Sequence, residues 1–480
     1  MLGKKKSTKS NGSGTPKGSS KKGPDMDGFK TILEPVAVSV KEENIGPFTM
    51  AVEAFTFEPQ DDMKISHFKN GDKERKIYCN LDLGEDEKEN VAKLQEQAKK
   101  EGLEFLPSVV IMAGRFLSRA RGDPHKAIQL MQATQEWRLD YFKAGPVYDS
   151  EVLENLKLGV VYFCGRDFGM RPTLVCRANR IPAEWHNDKK AGTDKLIRTL
   201  IFCMEYMIRY MLVPGRIENN CLIVDLKGLG IFGIPMSALH HIYSIMSHHY
   251  IGRVFRFYVI NMSSTLSAIA GAVKGILTDR QQQKLCLLTD IKELQKDFAP
   301  GQLEEDLGGT RKIVTSFYPF PMPGGPYEAG ATSGTLQTPT PGVHKVLSEA
   351  GIRGRLWDPK LSREENRALH YSPEAYEFFK SNNLPVPPDC QRQHEADQKI
   401  REAKEEAEEA ARKSAAALSP SDIANNVALE AGNADPEVVE EEEEEEEETE
   451  AAEQADVVIQ DSSLVSGGFF GCSACYCSQK

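Results

Sequence analysis

Residues 220–262 constrain the fold more than any other stretch of this chain. Positions 221–224 are uniformly apolar and end at Asp225, Lys227 and Gly228, and a second apolar run occupies 255–260. Between them Leu239, Ile242, Tyr243, Ile245 and Met246 recur at helical spacing. Apolar runs without alternation are strands covered on both faces, and strand, crossover helix, strand is the unit that builds a parallel sheet. The expected fold class is therefore α/β, with the rest of the chain packed on this unit or decorating it.

The same stretch spells G-x-G-x-x-G at Gly228, Gly230 and Gly233, directly after a strand and before a helix. A dinucleotide loop sits in that position, but it needs an acidic residue at the tip of the next strand to hold a ribose. Here that strand ends at Asn261 and Met262, and a long folded stretch precedes the glycines. A glycine-rich turn without a ligand accounts for the pattern better, and an NAD(P)- or flavin-dependent oxidoreductase stays as a rival.

Charge divides the chain. Residues 395–456 hold 23 acidic and 5 basic side chains, a balance of −18 against −12 for the whole, while 1–30 carry 8 lysines and 2 aspartates. The middle is near neutral, and the acidic balance describes a tail. Ten cysteines without a signal peptide point to a reducing compartment and to thiols used as small core residues. The longest apolar stretch, 196–213, contains Arg198, Glu205 and Arg209, which suits a buried helix and not a bilayer span.

The segments follow. Residues 1–30 read as a disordered basic leader, with Leu2 where a myristoyl acceptor glycine would stand. Residues 31–87 show no clear pattern beyond strand-like pieces such as 51–57. A helical N-terminal lobe spans 88–150; Asp123 and Pro124 cap and open a helix whose inner face carries Ala127, Leu130, Met131, Thr134 and Trp137, with Trp137 expected to plug the lobe. An α/β domain covers 151–318. Residues 319–342 read as a Pro/Gly linker, 343–390 as a small helical extension, 391–418 as a charged helix with Glu408–Arg412 and Glu409–Lys413 pairs, and 419–480 as an acidic disordered tail with a Cys-rich end.

Catalytic chemistry is hard to assemble. No H-E-x-x-H, G-x-S-x-G or P-loop string occurs, and His240, His241, His248 and His249 lack a carboxylate partner at metal-site spacing, so no enzyme, cofactor or metal is expected. Cys472, Cys475 and Cys477 offer three thiolates where structural zinc needs four ligands, and beside Phe469 and Phe470 they fit a palmitoylation site. Past Met262, Leu266, Ile269, Val273, Ile276 and Leu277 form one continuous apolar face, with Gly271 and Gly275 on the other side.

Five motifs fall in order: Glu136-Trp137-Arg138; Gly165-Arg166-Asp167 with Arg171-Pro172; Asp225-Leu226-Lys227-Gly228; Phe257-Tyr258-Val259-Ile260-Asn261; and Asp306-Leu307-Gly308-Gly309-Thr310. Over roughly 88–315 the chain resembles the CRAL-TRIO lipid-binding family, which includes phosphatidylinositol transfer proteins. The resemblance implies a mixed or parallel sheet flooring a hydrophobic cavity for one lipid, lined by Phe163, Leu174 and Leu222, with the apolar helix near 265–277 as its gate. Acyl chains shielded there gain about 0.8 kcal/mol per buried CH₂, so a lipid is held as cargo without a covalent step.

The resemblance also implies headgroup residues. Arg253 and Lys284 match the arginine and last-strand lysine that hold an inositol phosphate, and Gly252 stands at the acidic position. The positions used for choline lipids are Phe163, Leu174, Asn220 and Leu222, three of them apolar, so choline lipid transfer is not expected. The R-F-L-R-A-R string becomes Arg115, Phe116, Leu117, Ser118, Arg119, Ala120, Arg121. The function implied is non-enzymatic binding and transfer or presentation of a phospholipid, foremost phosphatidylinositol, by a cytoplasmic, peripheral-membrane protein. Its partners are the lipid and the membrane surface, not nucleic acid, with protein partners at the 391–418 helix and the acidic tail. The alternatives are a carrier of tocopherol- or retinoid-like molecules and a cargo-free adaptor.

Overall fold

The computed structural model describes residues 22–417 apart from 24, 69, 188, 230–235, 276, 349–353, 368 and 370, and apart from the side chains at 186, 187, 189, 236–239, 269, 272, 273, 364 and 415–417. The chain divides into two units, Met1–Gln391 and Arg392–Lys480. In the second unit the described residues belong to the helix Pro388–Ala417, where Glu409 and Lys413 pair at 2.6 Å as expected. Glu408 instead has Lys404, one turn earlier, at 4.0 Å.

The two apolar runs become the centre of a five-stranded sheet. Its strands are β1 (Val161–Arg166), β2 (Pro172–Arg177), β3 (Asn220–Asp225), β4 (Val254–Ile260) and β5 (Leu285–Leu287), in the spatial order β5-β4-β3-β2-β1. The β1/β2 pair is antiparallel and the other three are parallel, so the sheet is mixed. Successive side chains on a strand alternate between faces, so partners in register share one. The register thus sorts the sheet into two sides. Phe163, Leu174, Leu222, Phe257 and Leu285 form one row, with Val161, Cys176, Val224, Val259 and Leu287 as the next row of the same face. Tyr162, Val175, Ile223, Tyr258 and Cys286 occupy the opposite face.

The helical lobe is built from α1 (Glu85–Lys100), α2 (Ala113–Arg119) and α3 (Pro124–Tyr141). The Asp123 carboxylate caps α3 by accepting from the His125 and Lys126 backbone N–H groups, with Pro124 at the first turn. Trp137 departs from expectation: it is half-buried and stacks on His249 at 4.4 Å, with Tyr250 edge-on at 5.8 Å. The buried neighbour is Arg138, which pairs with Glu205 (2.8 Å) on the long helix α4 (Lys189–Tyr210) and with Glu34 (3.2 Å). An indole stacks and a guanidinium forks, so the end of α3 joins the lobe to the sheet domain.

Three boundaries move. The leader ends earlier than residue 30, because Met26, Asp27 and Phe29 are buried and the strand Lys30–Thr31 pairs with Glu104–Phe105. The strand-like piece at 51–57 contains a helical turn, Glu53–Thr56, that puts Ala54 and Phe55 inside. The Pro/Gly stretch at 319–342 is not a free linker: Tyr318, Phe320, Met322 and Tyr327 enter the main core. Its carbonyls find partners, Gln302 Nε2 donating to Gly324 O (2.9 Å) and Gly301 N to Ala331 O (2.8 Å). Turn-rich composition sets the local conformation, while a few aromatic anchors decide where the stretch lies. Phe320 touches Phe163, Tyr206 and Tyr318 edge-on with ring centroids 4.9–5.2 Å apart. Phe320→Ala is expected to lower unfolding free energy by about 3–5 kcal/mol in denaturant titrations, whereas a true linker position would leave it unchanged.

The expected helical extension at 343–390 also packs inward. Trp357 and Leu356 join the lobe core, Tyr371 the main one, and Phe379 is fully buried against Phe55 with centroids 5.5 Å apart.

Candidate lipid-binding site

The two faces of the sheet are covered differently. On the opposite face Tyr162 donates to Glu304 (2.7 Å), Tyr258 donates to Asp297 (2.9 Å) and packs on Phe298, and Phe317 leans on Tyr162, so the segment after β5 closes that side. The row of Phe163 behaves otherwise. At the β1 edge Phe163 and Leu174 are buried, with Phe320 against the Phe163 ring. At the centre Leu222, Val224, Phe255 and Phe257 are only half-buried. Central strands of a covered sheet are normally its most enclosed part. Half-buried apolar side chains there make a trough, and an apolar chain laid along it gains the transfer free energy that water denies.

The helix α6 (Ser264–Gly275) follows β4 and packs beside β5; the crossover helix α5 (Met236–His249) precedes it in the chain. Leu266 and Leu277 are buried, Gly271 and Gly275 face outward, the side chains of Ile269 and Val273 lie outside the described residues, and so does Ile276 altogether. The chain breaks helix after Gly275 and restarts at α7 (Asp279–Lys284), where Thr278 and Gln281 form a capping box. The described part of α6 therefore lies against the β5 edge of the sheet.

Of the two cations expected at a headgroup, Lys284 ends α7, immediately before β5 rather than on it. Its Nζ donates to Glu74 Oε1 at 2.9 Å, and Lys76 donates to the other Glu74 oxygen at 2.6 Å. Burial alone would raise the Glu74 carboxyl, but Lys284 and Lys76 hold it below the usual carboxylate range. Burial, and then Lys284, pull Lys76 down to about 8. One turn before Lys284, Arg280 grips Asp72 with Nε (2.6 Å) and Nη2 (2.7 Å), and Arg121 reaches the same carboxylate at 3.0 Å. Hydrogen bonds from Arg280 lower the Asp72 carboxyl. Asp72, Glu74 and Lys76 lie in or beside a hairpin, Ile65–His67 with Lys73–Arg75, within the stretch that showed no pattern. The available signals were the dense charge run 72–76 and the four-residue spacing of Arg280 and Lys284, which puts both on one helix face.

Arg253 does not join that group. It is buried, donates to the Glu218 carbonyl at 3.1 Å, and is pulled down to about 10 by burial and then by Arg115. Glu218 accepts from Arg115 (2.7 Å) and from the backbone N–H groups of Tyr78, Cys79 and Gly215. The place expected to hold an acidic residue is taken as well: a Cβ on Gly252 would stand 2.9 Å from Arg115 Nη1, which donates to the Gly252 carbonyl. Arg253 is a structural cation at this joint.

Most of the ordered motifs are joints too. Arg166 is fully buried and donates to Met170, Thr49 and Met211 carbonyls, and Asp167 pairs with Arg171 at 2.8 Å. Gly165 has φ +84°, and a Cβ there would meet Gln302 O at 2.2 Å. Arg177 gathers Asp225, Glu304 and Asp306 at 2.8–2.9 Å, tying the ends of two motifs to one guanidinium. Asp225 also accepts from Lys227 N and from Asn261, the residue just past β4 where a dinucleotide loop would need a carboxylate. Gly230 and Gly233 lie outside the described residues, as do Cys472, Cys475 and Cys477. No helix among the described residues is long and apolar enough to cross a membrane.

A mixed sheet with half-buried apolar side chains on its central strands and the helix α6 against its β5 edge defines the α/β domain. Residues 156–309 match the CRAL/TRIO domain model. The chain is 35% identical over 97 residues to the Sec14 cytosolic factor of Schizosaccharomyces pombe; the match takes in 18% of this chain and spans about a third of that relative's length, 34%. A crystal structure of Sfh5 aligns with 57% of this chain and 96% of its own at 12% identity and a TM-score of 0.38. The likeness to the CRAL/TRIO family lies in this domain, residues 156–309.

Proposed function

We propose that this protein carries one phospholipid, foremost phosphatidylinositol, and moves it between membranes or presents it at one, as a peripheral protein of the cytoplasm and without catalysing a reaction on it. The observation that carries this reading is the half-open apolar trough at Leu222, Val224 and Phe257 beside α6. Acyl chains would lie along the trough under α6, and the headgroup would reach the end of α7. Lys284 gives the reading its preference for an anionic headgroup, because an ammonium donates to phosphate oxygens from any direction.

Purified protein is expected to release phosphatidylinositol on extraction, read by mass spectrometry, and to transfer labelled phosphatidylinositol between vesicles. Lys284→Ala should cut that loading roughly tenfold, the value of one charge-assisted hydrogen bond near 1.5 kcal/mol. Protein that extracts empty and moves no phosphatidylinositol would overturn the reading. A second reading, a neutral apolar cargo of tocopherol or retinoid type, is favoured by the Glu74 carboxylate that already neutralises Lys284; its mark is a neutral molecule in the same extract.

A further inference from the structure

Resting on the phospholipid reading and deepening it, we infer that the 65–75 hairpin is an intramolecular stand-in for the headgroup phosphate, seated on a cluster in which Lys76 and Arg280 join Lys284. The cluster has the make-up of an anion site. Two ammonium groups flank one carboxylate at 2.6 and 2.9 Å, and one guanidinium forks onto another. Carboxylate and phosphate oxygens accept the same charge-assisted bonds with the same geometry. Arg121, Arg280 and Lys284 converge from outside the hairpin onto Asp72 and Glu74, with Lys76 two residues along from Glu74, and they would serve a phosphate equally well once the carboxylates turn away.

The base of the hairpin is fixed to α1 by the buried Arg75, which forks onto Glu87 at 2.8 and 2.5 Å, and by Lys73 on Asp86 at 2.9 Å, while its turn has little else to hold it. Its strands are three residues each, Ile65 is half-buried, and the turn carries exposed residues at 67 and 70. A two-stranded ribbon of that size has little stability of its own. The attachment of its turn therefore depends on the Asp72 and Glu74 pairs, and an anion that competes for them releases the turn while Arg75 keeps the base in place. A cavity of about 250 Å³ lies behind the turn, lined by Arg75, Tyr78, Ser118, Arg121 and Arg280. Withdrawal of the turn would leave Arg121 and Arg280 facing that space with their charges unpaired. Because Arg280 and Lys284 both sit on α7, directly after α6, the same contacts pin the C-terminal end of the apolar helix. Anionic headgroups at a membrane would then unlatch the hairpin and free that end of α6 together.

The test compares full-length wild type, Glu74→Gln and Asp72→Asn for uptake of labelled phosphatidylinositol and of labelled diacylglycerol from vesicles at subsaturating lipid. Glu74→Gln is expected to take up about fivefold more phosphatidylinositol, the scale of one partly exposed ion pair, with diacylglycerol uptake unchanged. Asp72→Asn, which spares the buried Lys76 pair, should move in the same direction and covers the case of a misfolded Glu74 variant. Adding Lys76→Met to Glu74→Gln should remove the gain. Wild-type loading of phosphatidylinositol with no gain in either variant overturns the stand-in and leaves the carrier reading intact. Equal gains for both lipids also overturn it, since the hairpin would then be a general lid. Failure of every protein to load phosphatidylinositol overturns the carrier reading and the inference with it. Calorimetry of Glu74→Gln with inorganic phosphate alone should be silent, and saturable heat would assign the cluster to a free anion instead.

Discussion

Leu222→Trp is expected to abolish lipid loading while leaving the fold in place. Leu222 sits on β3, the middle strand, in register with Leu174 on one side and Phe257 on the other, and all three point to the trough face. Leu174 is already buried, whereas Leu222 and Phe257 are half-buried, so an indole added there extends into the space an acyl chain would use. Overpacking in a closed core costs about 1–3 kcal/mol, and a half-open site should cost less. The cargo suffers more, because each methylene displaced from the trough forfeits about 0.8 kcal/mol. Two displaced methylenes already exceed a tenfold loss. Co-purified lipid per mole of protein should drop by at least that factor while the circular dichroism spectrum and thermal transition stay near wild type. Undiminished loading by the tryptophan variant would place the cargo elsewhere.

Glu218→Ala should cost stability on the order of 3–5 kcal/mol, the usual result of removing one partner from a buried ionic network. The carboxylate is buried, accepts from Arg115 and three backbone N–H groups, and its main chain accepts from Arg253. Burial would raise the Glu218 carboxyl, but Arg115 and Arg253 with the backbone donors hold it below its ordinary value. Alanine leaves two guanidinium groups facing one another without a counter-charge. Denaturant titration measures the loss directly. Wild-type stability combined with a selective defect in phosphatidylinositol loading would return Arg253 to the headgroup and refute its structural role.

Glu218→Ala, set beside Lys284→Ala, also separates the readings of Arg253 and Lys284 that sequence treats alike. Both are cations at positions a family resemblance assigns to an inositol phosphate, and nothing in the linear string distinguishes them. Arg253 is sealed in by Arg115, Glu218 and Gly252, three residues far apart in the chain. Lys284 stays at the rim and instead meets a carboxylate from the hairpin at 65–75, which no local pattern announced.

What could be read from the string was what depends on local chemistry. The apolar run at 221–224 and the run at 255–260, interrupted by Arg256, do form the central strands, Asp123 and Pro124 do start a helix, and Gly271 and Gly275 do face away from Leu266. Periodicity, capping and turn preference act over a few residues, and so they survive in one dimension. Tertiary structure alone decided which half of the sheet stays open, that Trp137 stacks on His249, that the Pro/Gly stretch enters the core, and which carboxylates meet Lys284 and Arg280. Each of those depends on a partner more than sixty residues away. The partner's identity, burial and charge fix the outcome, and adjacency in space is what a sequence read by itself does not carry.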